Sequence, residues 1–351
     1  MIIQFISSIF LAFLISYLLT PFIRDFFISH NWVEDPALKQ RKTHNATTAF
    51  SVPRGGGLPI FIAIVVSASI FLPLDKHLLA IFTSALLTLV IGLWDDIKDI
   101  SPRVRLLTNT ISGLIIVGSG IGIAYISNPF GGVIDLSSFR FSFEFFGPHS
   151  LWVISDILAI VWIIWCMNVI GWAGGVEGQL PGFVSISALF VGILGLRFAG
   201  DTTQWPVIIL AGSVAGAYLG FLPFNFYPQS IMVGYSAKSL AGLFLAVLSI
   251  LSGAKLATIT LLLAVPMIDA VFVMLRRFYQ RRPLLLSDGQ HLHHILLKSG
   301  WSRQKVSVFY WLLSLLMGLA TLFLNTQQKV ILFFVLLVFF VLFLTKASRR
   351  I

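Results

Sequence analysis

Residues 78–99 read LLAIFTSALLTLVIGLWDDIKD, a long apolar run that ends on three acids. If the run continues as a helix, Asp95 and Asp99 share one face and Asp96 lies beside them. Carboxylates this close repel one another unless a hard cation or a phosphate-bound metal neutralises them, and acids at the edge of hydrocarbon indicate a functional site. A solvated loop, in which Lys98 and the arginines that follow balance the acids, explains the pattern equally well.

The composition identifies a membrane protein. Of 351 residues, 57% are hydrophobic and 11% are charged, and the mean hydropathy is +0.93. These values exclude an ordinary soluble domain. The single cysteine, Cys166, excludes an intrachain disulfide. The net charge of +10 would suit nucleic acid, but the basic residues separate by side of the membrane, so we expect no nucleic-acid partner.

Apolar runs long enough to span a bilayer recur along the whole chain. We predict an all-α polytopic membrane protein with about eleven transmembrane helices, which form a single integral membrane domain over residues 1–351. The runs are 2–21, 58–74, 78–94, 106–127, 151–170, 181–196, 205–222, 239–253, 256–275, 306–324 and 330–345.

Lysine and arginine indicate the orientation of these helices. Nineteen of the 24 basic residues fall in one alternate set of loops and five in the other. Because cytoplasmic loops are rich in lysine and arginine, we predict a multi-pass protein of the plasma (inner) membrane, with its N-terminus outside and its C-terminus in the cytoplasm. The basic set is 22–57, 95–105, 171–180, 223–238, 276–305 and the tail after 345.

This orientation places the polar, motif-like loops on the cytoplasmic face. They lie near 39–57, 95–105, 168–182, 223–238 and 276–305, and we expect an active site among them. On the outer face, residues 128–150 alternate apolar and polar with period two. That alternation predicts a small extracytoplasmic hairpin or an interfacial segment.

Two of these loops have features that suit an anion. In the first, Arg41, Lys42, His44 and Arg54 precede a helix that begins after Gly55-Gly-Gly. Backbone N–H groups at a helix start bind phosphate well, although such glycine runs are also plain entry turns.

The second is the histidine-rich stretch Asp288-Gly-Gln-His291-Leu-His293-His294, which follows four arginines. Three histidines suit either a transition metal or a phosphate, and no cysteine or acid triad completes a metal site. We favour anion binding; the arginines also suit anionic lipid headgroups.

In order along the chain, these motifs resemble those of the polyprenyl-phosphate N-acetylhexosamine-1-phosphate transferases, a membrane family of glycosyltransferase 4 type. The resemblance covers about residues 39–305. The matching pieces are Pro53-Arg54-Gly-Gly-Gly, Gly92-Leu-Trp-Asp95-Asp96, Ser101-Pro102-x-x-Arg105-Leu-Leu, Asn168 with Gly175-Val-Glu177-Gly178, Phe224-Asn225-Phe226, Gly234, Pro266-Met-Ile-Asp269 and His291-Leu-His293-His294-Ile-Leu-Leu.

Members of this family move a sugar-1-phosphate from a UDP-sugar to a polyprenyl phosphate and release UMP. The resemblance implies that Asp95 and Asp96 are catalytic and that, with Glu177, they bind Mg²⁺ or alternatively Mn²⁺. It implies a role in starting a cell-envelope glycan, with the lipid, the UDP-sugar and the membrane as partners; a homodimer is left open. The implied substrate-binding residues are Arg54, Arg105, Asn168, Glu177, Asn225, Lys238, His291, His293 and His294.

The chain departs from the family pattern in two motifs that carry acids. Where the family has Asn-x-x-Asn-x-x-Asp-Gly-x-Asp-Gly, this chain has Gly174 at the first aspartate and Glu177 at the second. The family's later Gly-Asp-x-Gly-Ser is Gly234-Tyr235-Ser-Ala-Lys238, so a tyrosine replaces an acid and a lysine appears nearby. The alternative is a catalytically impaired paralogue that binds polyprenyl phosphate or nucleotide as a scaffold or regulator.

Overall fold

The computed structural model describes residues 1–34, 51–128, 131–144, 148–198, 200–252, 256–281 and 291–348. Its helices, numbered here in chain order, are α1 Ile2–Ser29, α2 Gly57–Phe71, α3 Lys76–Lys98, α4 Pro102–Gly118, α5 Val153–Ala173, α6 Gln179–Leu196, α7 Trp205–Asn225, α8 Gly234–Leu251, α9 Leu256–Leu262, α10 Ala264–Tyr279, α11 Leu292–Lys298, α12 Arg303–Phe323 and α13 Thr326–Ser348. The strands are β1 Val33–Glu34, β2 Val52–Pro53, β3 Tyr125–Ser127, β4 Val133–Asp135, β5 Arg140–Glu144 and β6 Pro148–Trp152.

The helical, multi-pass character of the prediction is confirmed. Among the described residues, 8 helices are long and apolar enough to cross a bilayer, or 9 if the bent pair α9–α10 is one span. Helices α2 and α4, of 15 and 17 residues, occupy two further predicted segments. The count of eleven spans and the orientation therefore stay predictions.

One predicted segment, 256–275, is wrong as a straight helix. Helices α9 and α10 meet at an angle of 80°. The break falls at Leu262–Leu263, and Pro266 lies four residues after Leu262. A proline cannot donate to the carbonyl four residues earlier, and its ring collides with that carbonyl. The bend is thus encoded by one residue.

Helices α1 and α7 cross closely. Gly212, Gly216 and Gly220 repeat every four residues along one face of α7, and a Cβ at Gly216 would collide with the carbonyl oxygen of Ile9 in α1. Small residues at this spacing let two helix backbones approach closely, and such close packing is a common way for helices to associate inside a bilayer. The crossing anchors the N-terminal helix to the middle of the bundle.

The predicted hairpin region contains two hairpins rather than one. Strand β3 pairs with β4, and β5 pairs with β6, both antiparallel. Because Gly118 ends α4, the predicted helix 106–127 is wrong over residues 119–127, which contain β3 instead. A further pair, β1 with β2, brings Val52–Pro53 next to Val33–Glu34 and leads into α2.

Some predicted binding residues lie outside the described residues. These are Arg41, Lys42, His44 and Asp288, so the phosphate-binding role of the first loop stays a prediction there. The site below is built from the remaining loops.

Candidate active site

Asp96, at the end of α3, holds the N-terminus of α8. Its Oδ1 accepts a hydrogen bond from the Tyr235 backbone N–H at 2.5 Å. Its Oδ2 accepts from the Ser236 N–H at 3.2 Å and from the Ser236 hydroxyl at 2.5 Å. Gly234 begins α8 with φ +66, a conformation that glycine adopts without strain. A carboxylate at this position accepts hydrogen bonds from the N–H groups that the first turn of a helix leaves unpaired. Its negative charge also interacts favourably with the positive end of the helix dipole.

Asp95, the next residue towards the N-terminus, has different partners. Its Oδ1 accepts from Arg105 Nε at 2.8 Å and lies 2.7 Å from Arg105 Nη2. The same oxygen accepts from the Ile100 N–H at 3.1 Å. Asp95 is fully buried, and its Oδ2 has no hydrogen-bond partner among the described residues. One carboxylate oxygen is therefore fixed by protein groups, and the other is buried without a partner among the described residues.

Tyr235 packs beside this ion pair. The Arg105 guanidinium lies 4.9 Å from the centre of the Tyr235 ring, within the range of a cation–π contact. The Tyr235 hydroxyl donates to Asn109 Oδ1 in α4 at 3.3 Å. The residue that replaces the family's acid thus faces Arg105 and α4.

Arg54 contacts three acids, one of which is Asp96. Its Nη1 lies 2.8 Å from Asp99 Oδ1, and its Nε lies 3.3 Å from Glu34 Oε2 and 3.8 Å from Asp96 Oδ1. Burial lowers the pKa of the Arg54 guanidinium, but Asp96, Glu34 and Asp99 raise it by more, so its pKa lies above the usual range. The strand pair β1–β2 places this permanent cation next to α3.

The loop between α5 and α6 carries Glu177 into an ion pair with Arg303 at the start of α12. Glu177 is buried, and its Oε2 has no hydrogen-bond partner among the described residues. Ser307 and Trp311 of α12 donate to the backbone carbonyls of Glu177 and Gly178, at 2.6 and 3.0 Å. Arg303 lies in the predicted active-site loop 276–305 but was not singled out from the sequence, and the contacts of Ser307 and Trp311 were not predicted.

Asn225 fixes the far side of this loop. Its Oδ1 accepts from the Gly178 N–H at 3.0 Å, and its Nδ2 donates to Gln229 Oε1 and to the Ile231 carbonyl. Asn225 therefore shapes the loop that presents Glu177. Asn168 differs, since its amide donates to the Ile164 carbonyl within α5 at 2.8 Å.

The three histidines lie at the start of α11. His291 Nδ1 lies 2.8 Å from Asp269 Oδ2 of α10, and Asp269 Oδ1 accepts from the Leu292 N–H at 2.8 Å. Asp269 caps α11 much as Asp96 caps α8. The rings of His291 and His293 are parallel, with centres 5.8 Å apart, and the His293 and His294 centres are 4.2 Å apart. Burial lowers the pKa of His293 well below its usual value, helped by the charges of His294, His291 and Lys238.

Lys238 joins these groups. A Cβ at Gly174 would lie 3.1 Å from Lys238 Cε, and a Cβ at Gly175 would collide with His293. Lys238 also lies one turn after Tyr235 on α8, so the two side chains share a face. The predicted site residues Asp95, Arg105, Lys238, Glu177 and the histidines therefore adjoin around the start of α8.

The predicted metal ligands Asp95, Asp96 and Glu177 do not form one donor set. Within the described part of the chain, no three histidine, cysteine or acidic side chains are grouped to hold a metal ion. Asp96 already accepts three hydrogen bonds, and Glu177 pairs with Arg303. The open Oδ2 of Asp95 fits Mg²⁺, which commonly takes one or two carboxylates and completes its shell with substrate phosphates and water.

Comparison with known proteins gives the same family along most of the chain. The chain is 26% identical over 346 residues to a probable undecaprenyl-phosphate N-acetylglucosaminyl 1-phosphate transferase of Bacillus subtilis, covering 93% of this chain and 89% of the relative. It is 30% identical over 315 residues to a phospho-N-acetylmuramoyl-pentapeptide-transferase of Campylobacter jejuni, covering 80% and 82%.

A decaprenyl-phosphate N-acetylglucosaminephosphotransferase of Mycobacterium tuberculosis is 26% identical over 306 residues, covering 78% of this chain and 71% of the relative. The model of glycosyl transferase family 4 matches residues 78–253, half of the chain, from α3 to just beyond α8. These residues include Asp95, Asp96, Glu177 and Lys238. The chain belongs to glycosyl transferase family 4.

Proposed function

We propose that this protein transfers a sugar-1-phosphate, of N-acetylhexosamine type, from a UDP-sugar to a membrane polyprenyl phosphate and releases UMP. The names of the relatives support the polyprenyl phosphate acceptor and the phosphosugar. The product starts a cell-envelope glycan. We place the reaction on the cytoplasmic face of the plasma membrane, where the basic loops lie.

The observation that carries the proposal is Asp95. Its buried carboxylate is held by Arg105 through one oxygen and leaves the other without a hydrogen bond among the described residues. A buried acceptor without a partner is costly. It is expected where a ligand completes the site.

Four cations in this region suit a substrate with several phosphates. Arg54 and Arg105 lie on either side of the α3 terminus, Lys238 lies on α8, and Arg303 lies against the Glu177 loop. Phosphoryl transfer depends mainly on positioning and on charge neutralisation. These four side chains supply both for a diphosphate.

In the proposed step, an oxygen of the lipid phosphate attacks the β-phosphorus of the UDP-sugar. The bond from that phosphorus to the bridging oxygen breaks, and its electron pair leaves with UMP. The lipid then carries a diphosphate and the sugar. A phosphate monoester has a second pKa of about 6, so most of the nucleophile is already deprotonated at neutral pH. Asp95 is therefore assigned to cation binding rather than to proton removal.

We propose Mg²⁺, or alternatively Mn²⁺, as the ion that Asp95 Oδ2 holds together with substrate phosphates. The bound ion would neutralise charge on the diphosphate. Arg105 fixes the Asp95 carboxylate, and Lys238 adds a positive charge next to Gly174, where the family pattern has an acid. Glu177 positions Arg303, and the neutral His293 offers a hydrogen bond to a phosphate oxygen.

The test is turnover by the purified full chain in detergent with Mg²⁺, a polyprenyl phosphate and a panel of UDP-sugars. UMP release, together with the mass of the lipid-linked sugar phosphate, is expected with at least one UDP-N-acetylhexosamine. Binding of the lipid or of a UDP-sugar without UMP release, across the panel and with either metal, would overturn the proposal in favour of a non-catalytic binding protein.

A further inference from the structure

A cavity of about 610 Å³ lies at the opposite end of α8 from the candidate active site. Its wall includes Ser249 to Ser252 at the end of α8, whereas Asp96 contacts the first turn of that helix. At 1.5 Å per residue, the two places are roughly 20 Å apart along the helix. The cavity is therefore separate from the Asp95 site.

Most of the cavity wall is apolar. The apolar lining includes Ile123 and Ile126 around β3, Leu256 of α9 and Phe333 of α13. A volume of several hundred Å³ with an apolar wall and few polar groups is typical of a small-molecule site. Hydrocarbon suits most of this surface.

A buried lysine supplies the charge in the wall. Lys329, in the first turn of α13, is 8% exposed, and its Nζ donates to Thr258 Oγ1 at 2.9 Å. Ser252 also lines the cavity and is buried, and its hydroxyl has no hydrogen-bond partner among the described residues. No acidic side chain is among the described lining residues. The polar lining also includes Ser127, Gln204, Thr260 and Thr326. One cation together with neutral hydroxyl and amide groups suits an anion.

Helix α13 borders the cavity and also faces the bilayer. Only 17% of its spanning window is buried, and Phe334, next to the lining residue Phe333, is 57% exposed. The cavity therefore borders a helix whose other face is exposed. Lysine near a helix end commonly extends its ammonium towards the headgroup region.

We propose that this cavity binds the phosphate head of a membrane lipid between Lys329 and Ser252, with part of its hydrocarbon against Ile126 and Phe333. The ligand is an anionic lipid, either a glycerophospholipid or a polyprenyl phosphate. The binding site does not depend on the proposed transferase activity, because it uses none of the residues of the Asp95 site.

The test uses the full chain in nanodiscs of phosphatidylethanolamine with a minor share of phosphatidylglycerol. A photoreactive benzoylphenylalanine replaces Phe333 in one variant and Phe334 in a matched control, and mass spectrometry identifies the lipid adducts. At position 333 we expect phosphatidylglycerol to be enriched about tenfold over its share of the bilayer, as one charge-assisted hydrogen bond permits. At position 334, adducts should follow the bulk composition.

Lys329→Met should remove the enrichment at position 333, Lys329→Arg should keep it, and Ser252→Ala should reduce it. If Lys329→Met fails to fold, the proposal is tested by Lys329→Arg, which should keep the enrichment, and by Ser252→Ala, which should reduce it. A second preparation, doped with a polyprenyl phosphate, identifies the preferred lipid by adduct mass. The proposal would be overturned by bulk composition at position 333 or by enrichment that survives Lys329→Met. Loss of the enrichment when excess inorganic phosphate is present during irradiation would also overturn it, because the site would then bind free phosphate rather than a lipid.

Discussion

Asp95 and Asp96 are neighbours in sequence, yet they have different partners. The sequence predicted both as members of one acidic centre, because the apolar run that precedes them places both acids at the edge of the membrane. Their different partners could not be predicted, since Asp96 bonds to α8 and Asp95 to Arg105 of α4. The contact with α8 spans 139 residues of chain, and no local pattern specifies it.

Asp95→Asn is expected to reduce UMP release by several orders of magnitude with little change in Tm, because shape is kept while a charged ligand is lost. Asp75→Asn is the matched control. Asp75 begins the same helix and accepts from Leu78 N–H at 2.8 Å, and asparagine caps helices equally well. Steady-state turnover and Tm are measured together. Full turnover in Asp95→Asn would remove Asp95 from the proposed centre.

Asp96→Asn provides a contrast within the same pair. Both Asp96 oxygens accept hydrogen bonds from α8, whereas the amide nitrogen of an asparagine cannot accept one, so the change should lower stability by about 1 kcal/mol. Thermal unfolding in detergent should show a lower Tm for Asp96→Asn than for Asp95→Asn. Equal Tm values would contradict the capping role.

Tyr235→Asp tests the missing acid. An aspartate there stands next to Asp95 and Arg105, so we expect Mg²⁺ to be needed at lower concentration, most clearly when combined with Gly174→Asp beside Lys238. Tyr235→Phe is the control, since it keeps the ring under Arg105 and loses only the bond to Asn109. Activity is measured across a Mg²⁺ titration. If wild type is inactive and only the double acid variant turns over, the chain is an impaired paralogue.

His293 gives a pH dependence to stability. Its pKa in the folded protein lies below the unfolded value of about 6.5. Between these values the unfolded chain binds the extra proton, so stability falls as pH drops below about 6.5, by at most about 1.4 kcal/mol per pH unit. His293→Gln should flatten the fall in Tm between about pH 7 and about pH 5. The exposed His30 supplies a control, and an unchanged slope in His293→Gln would refute the assignment.

Among the helices, local signals in the sequence account for several features of the packing. The glycine repeat of α7 and Pro266 of α10 are both visible in the chain, and each has a direct geometric result: a close crossing with α1 and a bend of 80°. Apolar runs located the helices well, because bilayer thickness fixes their length. The role of α12 was not predictable, because Arg303 reaches Glu177 only through tertiary packing.

The α1–α7 crossing can be tested with paired alanine substitutions. Alanine is favoured over glycine inside a helix by about 1 kcal/mol, so Gly171→Ala in α5, where nothing lies within 4 Å of the added Cβ, should not lower Tm. Gly216→Ala should lower it, because the methyl group collides with α1. If both variants behave alike in thermal unfolding, the close crossing does not stabilise the protein.

Across the whole molecule, the charge asymmetry predicts that the candidate active site faces the cytoplasm. Cysteines introduced singly at Ser137 and Ser287, in a chain whose buried Cys166 is replaced by alanine, should label from opposite sides of sealed vesicles, with 287 cytoplasmic. Ser287 lies outside the described residues, so this prediction rests on the sequence alone. Labelling of both positions from one side would overturn the orientation.

The capping of α8 by Asp96 has a consequence for biogenesis. Ribosomes add about 5–20 residues per second, so the N–H groups that complete Asp96, 139–140 residues later, are made on the order of ten seconds after α3. Until then the acid is left at the end of α3 without its partner helix. A chain that stalls before α8 can insert helices α1 to α7 and still lack this contact. Under the proposed function, fragments that end before α8 would therefore be inactive.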